Sequence, residues 1–409
     1  MLLYRFATTA LWPLLCFYTL RLALHYKSFK YFKQRLGFAY PKISGDIIWL
    51  HCASVGEVNT CLPLLNLLQK KYSNAKFLIT TNTVTGEQTF LKHPLKNTQH
   101  CFLPVDFSGS TKRFIQKINP KISIILETEI WPHLYQQCAK QNIPLCIVNA
   151  RLSHKTLNAN HWLKSLYKQT LKIPRCILAR SEKDHKYFIQ LGANKKVIKT
   201  LGNLKFAHLN IALKNKLDIK LPSYTLLASS HHNEEYLLAE LWKKENFNDL
   251  LVVVPRHPER GLKIEQELNK LGINTVRRSG NKNIKAGTQV YIADTLGELT
   301  QFMQDANIVI MGGSFIPHGG QNLLEAARLG KAILTGPHMF NFNDEMNLFL
   351  QKNACIQTTS IDDLKIKLHA LYIDSNIKTE LEHNALQLMQ RCQNIPQLYA
   401  DQLEKIIKC

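Results

Sequence analysis

The chain has 409 residues, 45% of them hydrophobic, which is more than one hydrophobic core usually holds and ample for two domains. Its ten cysteines contain no C-x-x-C pair and its sixteen histidines no H-E-x-x-H grouping, so they read as reduced, mostly buried cytosolic thiols with no visible metal motif, and no metal is expected. The formal net charge of +22 points towards an anionic partner, such as a phosphorylated substrate, a membrane surface or nucleic acid.

The charge is unevenly placed. Between Met1 and Gly45 there is no Asp or Glu, whereas Arg5, Arg21, Lys27, Lys30, Lys33, Arg35 and Lys42 are basic. The apolar run Phe6–Leu20, with Trp12, Pro13, Phe17 and Tyr18, predicts a membrane-contacting helix, shorter than the ~20 residues of a comfortable span. Leu22–Leu24 extends it if Arg21 snorkels. A cleaved signal peptide is the alternative, disfavoured by the aromatics and the late arginine. Basic residues on the downstream side keep the remainder in the cytoplasm, so an anchor at residues 1–25, interfacial or spanning, is expected.

Short apolar runs then alternate with helical patterns at Ile47–His51, Phe77–Thr81, Cys101–Pro104, Ile122–Leu126, Leu145–Asn149 and Ile177–Ala179. A second series follows at Thr225–Ala228, Leu250–Val254, Val290–Ile292, Ile308–Met311 and Ala332–Thr335. Such alternation predicts two doubly wound α/β halves, residues 26–206 and 207–409, joined through the lysine-rich AHLNIALKNKLDIKLP. Ile361–Lys408 reads as helices, the last of which packs back. In open α/β sheets ligands bind outside the carboxyl ends of strands, so the residues after each apolar run carry the chemistry.

After the first run, Ser54 and Glu57 have the S-x-x-E spacing of a capping box. The functional alternative is that Gly56 lets a substrate approach while Glu57 takes a proton from an attacking hydroxyl. After the fourth run comes Glu127-Thr128-Glu129-Ile130-Trp131-Pro132, with Pro132 placed to begin a helix. Its carboxylates either complement that helix dipole or position sugar hydroxyls. Arg151, after the fifth run, is either a partner for one of these carboxylates or an anchor for a substrate phosphate. Lys205, at the junction, is a cleft residue or a solvated lysine.

In the second half His231 follows one strand, and Arg256 and His257 follow the next between two prolines. An arginine there suits bidentate contact with phosphate, and the histidines either donate to its oxygens or are structural. The strand Ile308–Met311 delivers the chain to Gly312 and Gly313, where backbone N–H groups approach an anion. A second pair, Gly319 and Gly320, precedes a helix on which Asn322 and Glu325 share a face. Glycine pairs also simply close tight turns. Together these residues converge on one cleft.

On SVGE (Ser54–Glu57), TTNTVTG (Thr80–Gly86), ETEIWP (Glu127–Pro132), NARLS (Asn149–Ser153), GNLKF (Gly202–Phe206), VPRHPER (Val254–Arg260), DTLGEL (Asp294–Leu299), GGSFIPHGGQNLLEAA and GPHMFNF, the chain resembles the 3-deoxy-D-manno-octulosonic acid (Kdo) transferases of lipopolysaccharide biosynthesis. The resemblance implies a GT-B glycosyltransferase fold, two Rossmann-like domains facing across a cleft. It implies CMP-Kdo as donor, the tetraacyl lipid A precursor (lipid IVA) as acceptor, and no cofactor or required metal. Carried over, Glu57 is the base that deprotonates the 6′-hydroxyl of the acceptor, which attacks with inversion, and Glu129 is the second essential carboxylate. Ser54, Gly56 and Arg151 fall on the acceptor side. Arg256, Ser314, Asn322 and Glu325, with the Gly312–Gly313 backbone, match the CMP-binding motif, and Lys205, His231 and His257 match further donor positions. The pattern departs at His232, where the family carries an acidic residue. The implied location is the cytoplasmic face of the inner membrane, with anionic lipids as partners. Two rivals are a GT-B enzyme using a UDP-sugar and a noncatalytic basic membrane or nucleic-acid-binding protein. For the latter, no zinc finger, aromatic RNA-binding stripe or arginine-rich tail is present, so nucleic acid is not an expected partner.

Overall fold

A strand buried on both faces of a parallel sheet reads as a continuous apolar run, and Ile47–His51 is buried at every position. The computed structural model describes residues 2–93, 95–207, 217–280 and 284–408. The chain divides into two compact units, one of residues 1–208 with 392–409 and one of residues 209–391. The lysine-rich junction falls partly on residues 208–216, outside the described residues.

The first unit holds a parallel sheet of β1 (Ile47–His51), β2 (Lys76–Thr81), β3 (Thr98–Phe102), β4 (Ile122–Leu126), β5 (Leu145–Ala150), β6 (Cys176–Ala179) and β7 (Ile198–Thr200) in the order β3-β2-β1-β4-β5-β6-β7. The second holds β8 (Tyr224–Ser230), β9 (Leu250–Pro255), β10 (Thr275–Arg277), β11 (Val290–Ile292), β12 (Ile308–Met311), β13 (Ala332–Thr335) and β14 (Ile356–Gln357) in the order β10-β11-β9-β8-β12-β13-β14, again all parallel. Two Rossmann-like units of this kind are the composition of the GT-B class. In each, the winding direction reverses once, between β1 and β4 and between β8 and β12, and a crevice opens there outside the strand ends.

The sequence pattern missed β7, β10 and β14, and shifted β3 from the expected Cys101–Pro104. These four are the sheet edges. A short edge strand buries little of itself and carries no long apolar run: β3 opens on Thr98, Gln99 and His100, and only Cys101 and Phe102 are buried.

Trp49 and Phe114, both fully buried, meet edge to face in the first core. Leu227, Val253, Ile310 and Leu334 of the second sheet pack against Leu238 and Trp242 of the helix Glu234–Glu245. Among the described residues the cysteines are free thiols, buried except for Cys16.

The single N-terminal helix expected over Phe6–Leu20 is instead two, Leu2–Ala10 and Trp12–His25, bent by 53°. Pro13 lacks an N–H and fits only a first turn, so a new helix starts at Trp12. Among the described residues no single helix is long and apolar enough to cross a membrane, although the bent pair passes that test together. Its inner side is tied to the first unit: the Tyr4 hydroxyl donates to Asp106 Oδ2 at 2.8 Å, Thr8 Oγ1 lies 3.0 Å from His133 Nε2, and Trp12 stacks on Phe107. Leu14, Phe17 and Phe6 point outward, 65%, 68% and 78% exposed.

Residues 392–409 belong to the first unit, where the helix Ile395–Ile407 buries Tyr399, Leu403 and Ile407. Tyr399 donates its hydroxyl to Gly202 O at 2.9 Å.

Candidate active site

Glu57 stands in the first turn of the helix Val55–Lys71, which begins where β1 ends. Ser54 is its N-cap, accepting the Glu57 N–H at 3.4 Å and donating its hydroxyl to Glu57 Oε1 at 3.1 Å. The return bond reaches one residue further back than in a simple capping box, because Ala53 donates its N–H to Glu57 Oε2 at 2.8 Å. Burial pushes the Glu57 carboxyl up to about 7, opposed by the Ala53 N–H and reinforced by the charges of Glu127 and Glu129. A carboxylate poised there is matched to taking a proton near neutral pH. A Cβ on Gly56 would meet only Ser54 Oγ, at 3.9 Å, so the space beside Glu57 is open.

Glu127 and Glu129 follow the end of β4, the strand beside β1 at the reversal, and their charges act on Glu57. Glu127 adopts a left-handed conformation (φ 55°), a local cost of about 1–3 kcal/mol of the kind retained at functional sites. It pairs with Arg151 Nε at 2.8 Å, so of the two roles open to Arg151 the structure shows the carboxylate partner. Glu129 Oε2 receives Trp131 Nε1 at 2.8 Å and Asn82 Nδ2 at 3.1 Å, and lies 3.5 Å from His51 Nε2. Burial alone would raise its carboxyl, but His51, Trp131 and Asn82 hold it below the usual carboxylate range. Among the described residues none donates to its Oε1, so that oxygen can accept a further hydrogen bond. The network extends inward: Arg35 NH1 donates to Asn82 Oδ1 at 3.0 Å, and Thr80 Oγ1 lies 2.9 Å from both Trp49 Nε1 and His51 Nδ1. Two carboxylates with opposite shifts, one near neutral and one held ionised, can divide the tasks of base and orienter.

In the second unit the turn after β8 and the turn after β12 meet. His231 Nε2 lies 2.9 Å from Gln321 Nε2 and its ring centroid is 3.8 Å from that of His318. Burial, then His318, His257, Arg260 and Arg256, push His231 down to about 4. Such a field favours an anion. Arg256 is exposed just past β9, its backbone N–H bonded to Ser230 O at 2.9 Å, and His257 is exposed beside it, with Nδ1 3.5 Å from Glu259 Oε1.

The glycine-rich turn differs from expectation. Gly312 N–H goes to Ala228 O, and the N–H groups of Gly313, Ser314 and Phe315 go to the carboxylate of Glu234, not outward to a ligand. Ser314 is wholly buried, its hydroxyl donating to Met311 O at 2.5 Å and accepting Gly336 N–H at 2.7 Å, so its side chain ties two strand exits together. Asn322 and Glu325 do not share a helix, since the helix is only Leu324–Arg328. Asn322 is exposed and accepts Leu324 N–H at 3.2 Å, and Glu325 accepts from the Thr300 hydroxyl. Lys205 lies in the first unit, in the turn Leu204–Ala207, apart in sequence and unit from the other expected donor residues.

The structure thus gathers Ser54, Gly56, Glu57, Glu129 and Arg151 at one crevice, and His231, Arg256 and His257 at the other. Sequence reasoning missed His51, Asn82 and Trp131 as partners of Glu129, and His318, Gln321 and Glu234 in the second unit. Asn82 directly follows β2, so the strand-end rule alone would have found it. No group of three or more His, Cys, Asp or Glu among the described residues could hold a metal ion.

Residues 30–208 match the family described as 3-Deoxy-D-manno-octulosonic-acid transferase (kdotransferase). The chain is 33% identical over 376 residues to the 3-deoxy-D-manno-octulosonic acid transferase of Rickettsia felis, covering 88% of this chain and 80% of that protein. To the enzyme of the same name from Haemophilus influenzae it is 33% identical over 370 residues, covering 86% and 85%. Among solved structures, UDP-GlcNAc 2-epimerase from Neisseria meningitidis aligns with a TM-score of 0.58 over 88% of this chain and 100% of that one, at 14% identity, a likeness of fold alone. Identity of that extent to relatives of one name, spanning both Rossmann-like units, shows that the chain belongs to the 3-deoxy-D-manno-octulosonic acid transferase family of glycosyltransferases.

Proposed function

We propose that the protein transfers Kdo from CMP-Kdo to the 6′-hydroxyl of the tetraacyl lipid A precursor, with inversion. The observation that carries the reading is Glu57, a carboxyl raised to about 7 at a strand-end crevice with open space over Gly56. In the proposed step the Glu57 carboxylate takes the proton of the acceptor hydroxyl, whose oxygen bonds to the anomeric carbon of Kdo. The bond from that carbon to the phosphate oxygen breaks, and CMP leaves with the electron pair. Glu129, held ionised, offers Oε1 to an acceptor hydroxyl. Arg256 supplies positive charge where charge develops on the leaving phosphate, and His231, held neutral near pH 7, with His257 and His318 beside it supplies hydrogen-bonding groups. The outward apolar side chains of the N-terminal helix pair, with the basic residues from Arg5 to Lys33, support attachment to an anionic membrane surface, the cytoplasmic face of the inner membrane in this reading.

The test is incubation of detergent-purified protein with in situ generated CMP-Kdo and the tetraacyl precursor, with and without EDTA, followed by product mass. A gain of one or more Kdo units supports the reading and counts the sugars added. An unchanged acceptor beside an active relative overturns it and directs attention to UDP-sugar donors.

A further inference from the structure

We propose that Glu234 is a positioning residue of the donor site: its carboxylate fills the N–H nest of the glycine-rich turn, so that the donor phosphate is met by side chains around a pre-set turn. The inference rests on the donor reading above and names a residue that reading does not use.

Glu234 is the first residue of the helix Glu234–Glu245 and is 0% exposed. Oε2 accepts Gly313 N–H at 2.6 Å and His231 N–H at 2.9 Å, while Oε1 accepts the N–H groups of Ser314 and Phe315, each at 3.0 Å. Among the described residues no lysine or arginine forms an ion pair with it, so peptide dipoles alone compensate the buried group. Charge-assisted bonds of this kind are about twice as strong as neutral ones. They span the switch point of the second sheet, joining the turn after β8 to the turn after β12. Gly313 takes the left-handed conformation (φ 68°) that turns successive N–H groups the same way, and a Cβ on Gly312 would stand 2.5 Å from Ser229 O, so the two turns are pressed together.

A phosphate entering this nest would have to displace a buried carboxylate and leave it without partners, or share the nest with a like charge. Neither is favourable. What Glu234 does instead is fix the His231 backbone, and with it the ring that faces His318 and Gln321. The adjacent Glu235, also buried, ties the same helix end to the Ser230 hydroxyl at 2.8 Å and to Arg260 at 3.0 and 3.2 Å. Arg260 is thereby paired internally, which leaves the exposed Arg256 for the donor.

The experiment uses the full chain in detergent. Titration with CMP is expected to give a dissociation constant raised on the order of 10-fold or more in Glu234→Gln, because the amide nitrogen cannot accept the N–H groups that Glu234 holds. The KM for CMP-Kdo should rise with it while the acceptor KM stays unchanged, a split that a general loss of stability would not produce. Hydrogen exchange on the wild-type protein covers the case of a variant that does not fold: the amides of Gly313, Ser314 and Phe315 should be protected without CMP and unchanged by it. A folded Glu234→Gln protein with wild-type CMP affinity overturns the proposal, as does protection of those amides only when CMP is bound. Wild-type protein that binds no CMP overturns the donor reading, and the role of Glu234 with it.

Discussion

The Ser54 hydroxyl and the Glu57 carboxylate are partners twice over: Ser54 Oγ donates to Glu57 Oε1 at 3.1 Å while capping the helix through the Glu57 N–H at 3.4 Å. The capping role of the S-x-x-E spacing is thus compatible with the proposed role of Glu57 as base. The cap holds the Glu57 carboxylate in place, and burial raises its proton affinity to about 7. Glu57→Gln preserves the size of the side chain and most of the cap. The variant is expected to fold and to bind CMP as the wild type does, and to lose transfer by about 10²–10⁴-fold, the usual contribution of a general base. Parallel calorimetry with CMP and a mass-resolved transfer assay check this, and a turnover near wild type would remove Glu57 from the mechanism.

The pH profile reports the same group. A base works only when ionised, so with Glu57 raised to about 7 the value of kcat/KM for the acceptor should fall as pH drops through about 7 and level off above it. Glu127 is one of the charges that raise Glu57. Its replacement in Glu127→Gln removes that repulsion and also releases Arg151 from its 2.8 Å pair, and both changes favour the ionised base. The acid limb of the profile should move to lower pH. A shift in the opposite direction would contradict the electrostatic assignment.

The buried parallel strands are legible in the sequence because each is a continuous apolar run, and the strand-end rule singles out Glu57, Glu129, His231 and Arg256. The edges are not, since β7, β10 and β14 have only three, three and two residues. The partners of Glu129 need a further step. His51 is the last residue of β1 and Asn82 the first after β2, positions the strand-end rule points to, but only the parallel register, which sets His51 beside Thr80, shows that they meet at one carboxylate. The glycine-rich turn shows the opposite failure. Its N–H groups are gathered as a nest, but the anion is Glu234, 79 residues away in sequence from Gly313, and nothing local in the turn reveals that partner.

Two glycines separate folding from function. A Cβ on Gly336 would stand 2.3 Å from Ser314 O, a backbone atom that cannot give way cheaply, whereas a Cβ on Gly56 has open space. Gly336→Ala is expected to destabilise the protein by about 1–3 kcal/mol or more through overpacking, visible as a lowered Tm. Gly56→Ala should leave Tm unchanged or raise it, because alanine is the better helix former by about 1 kcal/mol. Its transfer rate should nevertheless fall, since the added methyl would stand on the proposed path of the acceptor to Glu57. Full activity in Gly56→Ala would show that the acceptor does not pass over this residue.

The N-terminal helix pair sorts its residues by face. Tyr4, Thr8 and Trp12 are held by Asp106, His133 and Phe107, and Phe6, Leu14 and Phe17 are left outside. Burying an exposed apolar side chain of this size is worth about 1.5–3 kcal/mol, so under the proposed attachment each would be a sizeable share of membrane affinity. Phe6→Ser and Phe17→Ser touch neither the helix contacts to the first unit nor the crevice. Each should weaken binding to vesicles containing anionic phospholipid on the order of 10-fold, with Tm and detergent-phase transfer unchanged. The basic residues Arg5, Arg21, Lys27 and Lys33 would add about 1 kcal/mol each near an anionic surface, a contribution that salt screens, whereas Lys30 is paired with Glu87 at 2.8 Å. Raising the salt concentration should therefore weaken the wild-type protein and both variants by a similar factor. Flotation assays on vesicles of anionic and of neutral lipid read both effects, and equal binding to the two lipids would assign the attachment to the apolar face alone.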